Sequence, residues 1–582
     1  MTIDEERPKP AKGLSNLGNT CFYNSTAQCL MHTHALYSWQ EKVTEEKELI
    51  IKKNTVVVNE KKVDVPAAVI TLKETTSLPL VSALQHFLAE FRVGRGPNPQ
   101  PLFSQIAVKA PRFRGWAQQD AHELLRYLLD GIRTEELKRF KEAIFAHMGV
   151  QDKPTPEQML TCKAMLESTD RCYIDSIFAG SLLQIISCSK CKHMSNSLEP
   201  FLDLSLPLNY GAPSTPTVQV FFPPNNRREG TPSKHQIKKT KKKEKREAKE
   251  AARKNKKVAP VENGNNAETL PPLLSTEETN PTTASADTMD DIKAIDENSD
   301  TDDASSTEDM SVSDNESNEN SNHFDEANET MENKSSSPNY VAVLSPQPPE
   351  EDASEARTVL NSLKHFTAPE NLCASNAYEC ENCCAPHNKA LPPNSKDKMT
   401  VEATKRYLIY SPPSVLTVHL KRFEQVPMNT FGNRMRTRKI RGHVEFPFVL
   451  DMAPFCARIG QRVRHGQQEV IYSLYGIVSH SGDLGGGHYV AYVKSRNKVE
   501  ELKQFMEAGM KPDRLCQTME KLNNGTEPQE QVKSSSLNKD EILQKLDENA
   551  TWYYASDSHV RQINVNEVKN AEAYILFYER IL

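Results

Sequence analysis

GLSNLGNTCFYNSTAQCL, residues Gly13–Leu30, sets a Gly/Asn-rich turn directly ahead of an apolar-periodic stretch, with Cys21 at the changeover. Phe22, Ala27, Cys29 and Leu30 predict a helix that begins at or beside that cysteine. A helix N-terminus offers unpaired N–H groups and the positive end of the dipole, which stabilise a thiolate, the form that attacks carbonyl carbon. Cys21 is therefore a candidate nucleophile. Five residues earlier, Asn16 carries an amide donor of the kind that holds the oxyanion of a tetrahedral intermediate. A cysteine at the start of a buried helix is also commonly a small core residue, so the reading needs a partner base.

The base is sought in SHSGDLGGGHYVAYV, Ser479–Val493, where three glycines lead into His488 and an alternating strand. Glycines there let the backbone approach a ligand closely. A third segment, Trp552–Val560, reads as a neighbouring strand that ends in a polar turn at Ser556 and Asp557. Cysteine, histidine and an orienting group brought together from distant positions form a papain-like constellation.

These stretches resemble the boxes of the ubiquitin-specific proteases, the papain-like cysteine deubiquitinases. Gly13–Leu30 is similar to the cysteine box, Gly115–Asp130 (GWAQQDAHELLRYLLD) to the second box, and GGGHYVAYV to the histidine box. IFAGSLLQIISCSKC, EPFLDLSLPL, PPSVLTVHLKRFE and AYILFYERIL support the match, in the family's order. The resemblance implies hydrolysis of the isopeptide bond after the C-terminal glycine of ubiquitin, with Cys21 as nucleophile, His488 as general base and Asn16 as oxyanion donor. It gives Gln119 and Asp120 the binding of the extended ubiquitin tail. At the third catalytic position the family usually carries Asp or Asn followed by Asp, whereas this chain reads Ser556-Asp557. Only Asp557 can stabilise an imidazolium by charge, so it is assigned that role, with Ser556 sharing the orienting hydrogen bond.

The WYxxSD turn and the LFYERIL ending resemble a subgroup with members that act on ubiquitylated histone. Only twelve residues precede Gly13, so the chain is expected to lack that subgroup's N-terminal zinc-finger ubiquitin-binding domain. The fold implied is α+β: a helical thumb from Gly13 to about Met148, then a mixed palm and β-rich fingers. The domain expectation is a tail over 1–12 and a catalytic domain over 13–582, interrupted at 211–355 and 495–549.

Composition agrees with interruptions. An apolar fraction of 37% and a mean hydropathy of −0.63 are low for 582 wholly globular residues. The segment 211–355 is basic from Lys234 to Lys257, then acidic and Ser/Asn-rich from Asp287 to Glu332, a composition that predicts disorder. The basic run reads as a solvated charged stretch, a nuclear-import address, or a nucleosome or nucleic-acid contact. The acidic run could accept phosphate on Ser311 or Ser313. In the second insertion, Glu500–Met510 and Asp540–Leu546 predict short amphipathic helices, with no chemistry assigned.

The chain has twelve cysteines and neither a run of eighteen apolar residues nor an apolar signal region. The expectation is an intracellular protein of nucleus or cytoplasm, with reduced thiols and no membrane partner. Cys188-x-x-Cys191 and Cys380-x-x-Cys383 offer two knuckles for one closed tetrahedral thiolate site, and structural Zn²⁺ is the expected occupant. Cys384 is an alternative ligand, and no catalytic cofactor is called for. Two other functions stay open at this stage: an inactive ubiquitin-binding scaffold, suggested by Ser556, and a chromatin or nucleic-acid binder, suggested by Lys234–Lys257.

Overall fold

The apolar run behind Cys21 folds as α1 (Cys21–Met31), and every one of its residues is buried. A helix without a polar face has to lie inside the molecule. The computed structural model describes residues 9–208, 357–511 and 538–582, with short breaks inside those ranges. The predicted insertion 211–355, with Lys234–Lys257, Ser311 and Ser313, lies outside the described residues, as does 512–537.

Around α1 stand α2 (Ala35–Glu45), α3 (Pro79–Arg92), α4 (Gln100–Lys109), α5 (Ala121–His147), α6 (Pro156–Glu167) and α7 (Tyr173–Phe178). Phe22 of α1 stacks on Phe113 and meets Phe103 edge-on. The predicted stripe Leu124, Leu125, Leu128 and Leu129 is the buried face of α5. Glu136 of α5 is buried and joins three helices: it accepts from Trp39 Nε1 of α2 at 2.6 Å and from the Ile174 N–H of α7 at 3.3 Å.

The expected helical portion up to about Met148 is present, and two short strand pairs that the sequence reading did not name lie within it. β1 (Glu48–Ile51) pairs with β4 (Ala68–Thr71), and β2 (Asn54–Val58) with β3 (Lys61–Val65), all antiparallel. Runs such as Val56-Val57-Val58 favour strand because branched side chains pack well on a pleated surface.

The remaining strands are β5 (Gly180–Cys188), β6 (Met194–Phe201), β7 (Leu204–Leu206), β8 (Glu370–Leu372), β9 (Ala403–Ser411), β10 (Val415–Leu420), β11 (Phe423–Asn429), β12 (Gly432–Lys439), β13 (Val449–Asp451), β14 (Ile471–Asp483), β15 (Gly486–Ser495), β16 (Thr551–Ser556), β17 (His559–Ile563) and β18 (Ala573–Arg580). Eight of them form the main sheet in the order β17-β16-β15-β14-β18-β10-β7, with β13 added against β14. β18 is buried along its whole length, as a central strand covered on both faces must be. α1 lies against β14, β15 and β16, so the cysteine-bearing helix crosses the histidine-bearing strand. A separate sheet, β6-β5-β9-β8, carries Cys188 at the end of β5. In the second insertion, helices form at Lys503–Met510 and Lys539–Asp547. Phe505, Ile542 and Leu546 pack with Ile471 and Ile581, so this segment is docked on the C-terminal end of the chain.

Candidate active site

The loop ahead of α1 is built by Asn16. Its Oδ1 accepts from the N–H groups of Gly18 at 2.8 Å and Thr20 at 3.2 Å, which bends residues 16–20 into a tight turn. Gly18 and Asn19 both take left-handed φ, 106° and 54°, the conformation for which Gly and Asn are suited. The turn delivers Cys21 to the first position of α1 with its residue only 3% exposed.

The other half of the site comes from the β16–β17 turn. His488 of β15 places Nε2 2.7 Å from Ser556 Oγ. With Ser556 accepting, Nε2 carries the ring proton and Nδ1 is left bare, the tautomer a general base requires. Asp557 is elsewhere. Its Oδ2 accepts from Asn16 Nδ2 and its Oδ1 from Asn24 Nδ2, each at 2.8 Å, while its carbonyl accepts from the Leu14 N–H at 2.9 Å. The structure departs from the expectation for Asp557 in its contacts: the group bonded to the imidazole is Ser556, and the Asp557 carboxylate is taken up by two asparagine amides. The cause is local geometry. Ser556 is the last residue of β16, and Asp557 turns away from it with φ of 50°, toward the cysteine loop. Gly13 runs so close to this turn that a Cβ there would stand 2.3 Å from the Ser558 carbonyl oxygen. Asp557 thus ties the loop and α1 to the sheet.

Asn16 is consequently engaged on both ends of its amide, with one Nδ2 hydrogen directed to Asp557 and a second left to donate.

Gln118 completes the cleft, and sequence reasoning missed it. Its Nε2 donates to Gly487 O at 2.8 Å and lies 3.3 Å from Cys21 Sγ, and its Oε1 accepts from Gly487 N–H at 3.0 Å. One side-chain amide therefore reads both backbone groups of Gly487, as a strand partner would. The predicted tail-binding pair sits beside it: Gln119 is half-buried, and Asp120 is the N-cap of α5, accepting from Glu123 N–H at 2.9 Å and from Tyr574 OH. The only available signal was the polar triplet Gln118-Gln119-Asp120 before a helix, which does not say which glutamine reaches the cysteine.

Behind Asp120 lies a buried cluster. His122 Nε2 is 2.8 Å from Asp203 Oδ2, Ser205 Oγ donates to the same oxygen at 3.0 Å, and the His122 and His419 rings stack at 3.7 Å. Burial and the neighbouring His122 push His419 well below the usual histidine range. Ser205 Oγ also lies 2.8 Å from His419 Nδ1, so the two rings and Asp203 form one hydrogen-bonded group whose ligand atoms lie within 4.8 Å of one another.

The two cysteine knuckles do converge. Cys188 Sγ stands 3.8 Å from Cys383 Sγ and Cys191 Sγ 3.6 Å from Cys380 Sγ, and all four sulfurs lie within 4.8 Å of one another. Tetrahedral bonds of about 2.3 Å set ligand sulfurs about 3.8 Å apart, so the four cysteines fit a metal ion. The Cys191 thiol is drawn down to about 6, chiefly by a backbone hydrogen bond at His193, while burial pushes Cys383 up. Cys384 is buried in the same cluster.

The family model described as ubiquitin carboxyl-terminal hydrolase matches residues 12–578. The chain belongs to the ubiquitin carboxyl-terminal hydrolase family. It is a cysteine-type deubiquitinase. Among its relatives, ubiquitin carboxyl-terminal hydrolase 45 of Danio rerio is 29% identical over 98% of this chain and 76% of the relative. Ubiquitin carboxyl-terminal hydrolase 16 of Mus musculus is 29% identical over 100% of this chain and 78% of the relative. A solved SAGA deubiquitinating module containing Ubp8, Sgf11, Sus1 and Sgf73, bound to monoubiquitin, is similar at a TM-score of 0.46 and 17% identity, covering 100% of this chain and 72% of that one. Among the described residues no helix is long and apolar enough to cross a membrane.

Proposed function

We propose that this deubiquitinase cleaves the isopeptide bond after the C-terminal glycine of ubiquitin with Cys21 as nucleophile, His488 as general base and Ser556 as the group that orients the imidazole. The observation that carries this assignment is the His488–Ser556 hydrogen bond on the strand crossed by α1, whose first residue is Cys21. His488 Nδ1 takes the thiol proton and the thiolate attacks the glycine carbonyl. The oxyanion meets the remaining hydrogen of Asn16 Nδ2 and the free N–H groups at the start of α1. The protonated histidine then donates to the leaving lysine amine, and water releases ubiquitin from the thioester. Gln118, with Gln119 and Asp120, lines the path of the ubiquitin tail, whose backbone would replace Gly487 as the partner of the Gln118 amide. Zn²⁺ is the metal proposed for Cys188, Cys191, Cys380 and Cys383. It contributes fold stability at a distance from the chemistry.

Cys21→Ser is expected to abolish release of a fluorogenic group from ubiquitin while leaving ubiquitin affinity within about twofold, since the hydroxyl keeps the shape but is a far poorer nucleophile. Wild-type turnover in that variant would sink the assignment.

A further inference from the structure

At the opposite end of α1 from Cys21, roughly 16 Å along the helix axis, lies a partly open cavity of about 50 Å³. Its wall includes Lys9, His32, His34, Arg92, Arg496 and Lys498. None of the described lining residues is acidic. The carboxylates that pair with these cations stand outside the wall: Glu41 lies 3.3 Å from Arg92, Glu579 2.8 Å from Arg496, and Glu500 3.9 Å from Lys498.

Two of the wall residues are 3% exposed and carry polar atoms without a hydrogen-bond partner: Nε2 of His32, and Nε and Nη1 of Arg496. Leaving such groups unpaired costs about 1–3 kcal/mol each. The Arg496 guanidinium lies over the Tyr475 ring at 4.3 Å, which fixes its plane. His32 Nδ1 is 2.8 Å from the Gln28 carbonyl oxygen, which can only accept, so Nδ1 carries the proton and Nε2 is a bare lone-pair acceptor, leaving Arg496 to supply the unpaired donors. Burial, with a smaller contribution from the charge of Arg496, pushes His32 down to about 4.

We propose that this cavity binds a phosphoryl oxyanion, either free phosphate or a phosphomonoester. A planar guanidinium with orphaned donors matches two oxygens of a tetrahedral anion, and the surrounding cations match its double charge. The ligand bridges the end of α1 to the segment leaving β15, the two elements whose other ends carry Cys21 and His488.

The test uses the full chain, titrated with inorganic phosphate and separately with free phosphoserine, against chloride at equal ionic strength. Calorimetry and thermal melting are the readouts. Saturable binding and a Tm rise of about 3 °C are expected. Lys498→Gln and Arg92→Gln, neither in the catalytic machinery, are each expected to weaken binding about tenfold, the loss of one charge-assisted contact. Unchanged hydrolysis of a ubiquitin fluorogenic substrate shows that both variants are folded. Tighter binding of phosphate names the free anion as the source, and tighter binding of phosphoserine names a phosphorylated side chain. Absence of saturable binding by both anions, or affinities unchanged in both variants, overturns the proposal.

Discussion

Ser556 and Asp557 are neighbours that do different work, and substitution separates them. Ser556→Ala removes the hydrogen bond to His488 Nε2, which in the proposed mechanism holds the tautomer that acts as base. Turnover is expected to fall by about 10²-fold, with Tm and ubiquitin affinity almost unchanged. Asp557→Asn replaces one accepting oxygen by an NH₂ that faces an asparagine donor. It is expected to cost about 2 kcal/mol of stability through the loosened cysteine loop, visible as a lower Tm. Kinetics and melting curves on both variants decide the matter. A dead Asp557→Asn enzyme with wild-type Tm, beside an active Ser556→Ala enzyme, would return the orienting role to the aspartate. The residue pair was visible in the sequence, but the direction each side chain takes was not. Charge chemistry alone favours Asp557, whereas the strand end and the left-handed turn after it put Ser556, not Asp557, in contact with the imidazole.

At the scale of elements, the two CxxC knuckles close a site from parts 189 and 195 residues apart in sequence. Cys188 N–H bonds the His193 carbonyl and Lys192 N–H bonds the Cys188 carbonyl, so the first knuckle is a stable turn at the end of β5. Cys380→Ser should leave that turn intact and still lose the metal. About one equivalent of zinc is expected in the wild-type protein and less than about a tenth in the variant, with a fall in Tm because metal binding is coupled to folding. Metal analysis that finds no zinc in active wild-type protein would refute the assignment. The knuckles, the α1 start and the α5 stripe were legible because each rests on local spacing. The β1–β4 and β2–β3 pairs were not, because short alternating runs such as Lys61–Val65 carry too little period to be told from loop.

For the molecule as a whole, Glu136 makes stability depend on pH. Burial outweighs its hydrogen bonds from Trp39 and Ile174 and raises its carboxyl from 4.5 to about 8. A carboxyl raised in the folded state contributes stability that is fully present below about pH 4.5 and is lost as pH rises to about 8, where both states are ionised. Its share of the slope is at most about 1.4 kcal/mol per pH unit. Glu136→Gln keeps one acceptor and removes the ionisation, so the difference in Tm between pH 6 and pH 8 is expected to shrink. Denaturation curves at both pH values check this, and an unchanged difference would show that Glu136 is ionised in the fold.

The sequence by itself determined the family and marked Cys21, His488 and the four thiols as candidates, because these depend on residue type and short-range spacing that a chain displays before it folds. Only the tertiary structure decided which of Ser556 and Asp557 meets His488, that Gln118 rather than Gln119 lies on the cysteine, and that Arg92 of α3 and Arg496 and Lys498 after β15 line a second cavity at the end of α1. Those outcomes depend on side-chain direction and on contacts between segments hundreds of residues apart. Backbone turns and packing fix both, and no local pattern encodes them.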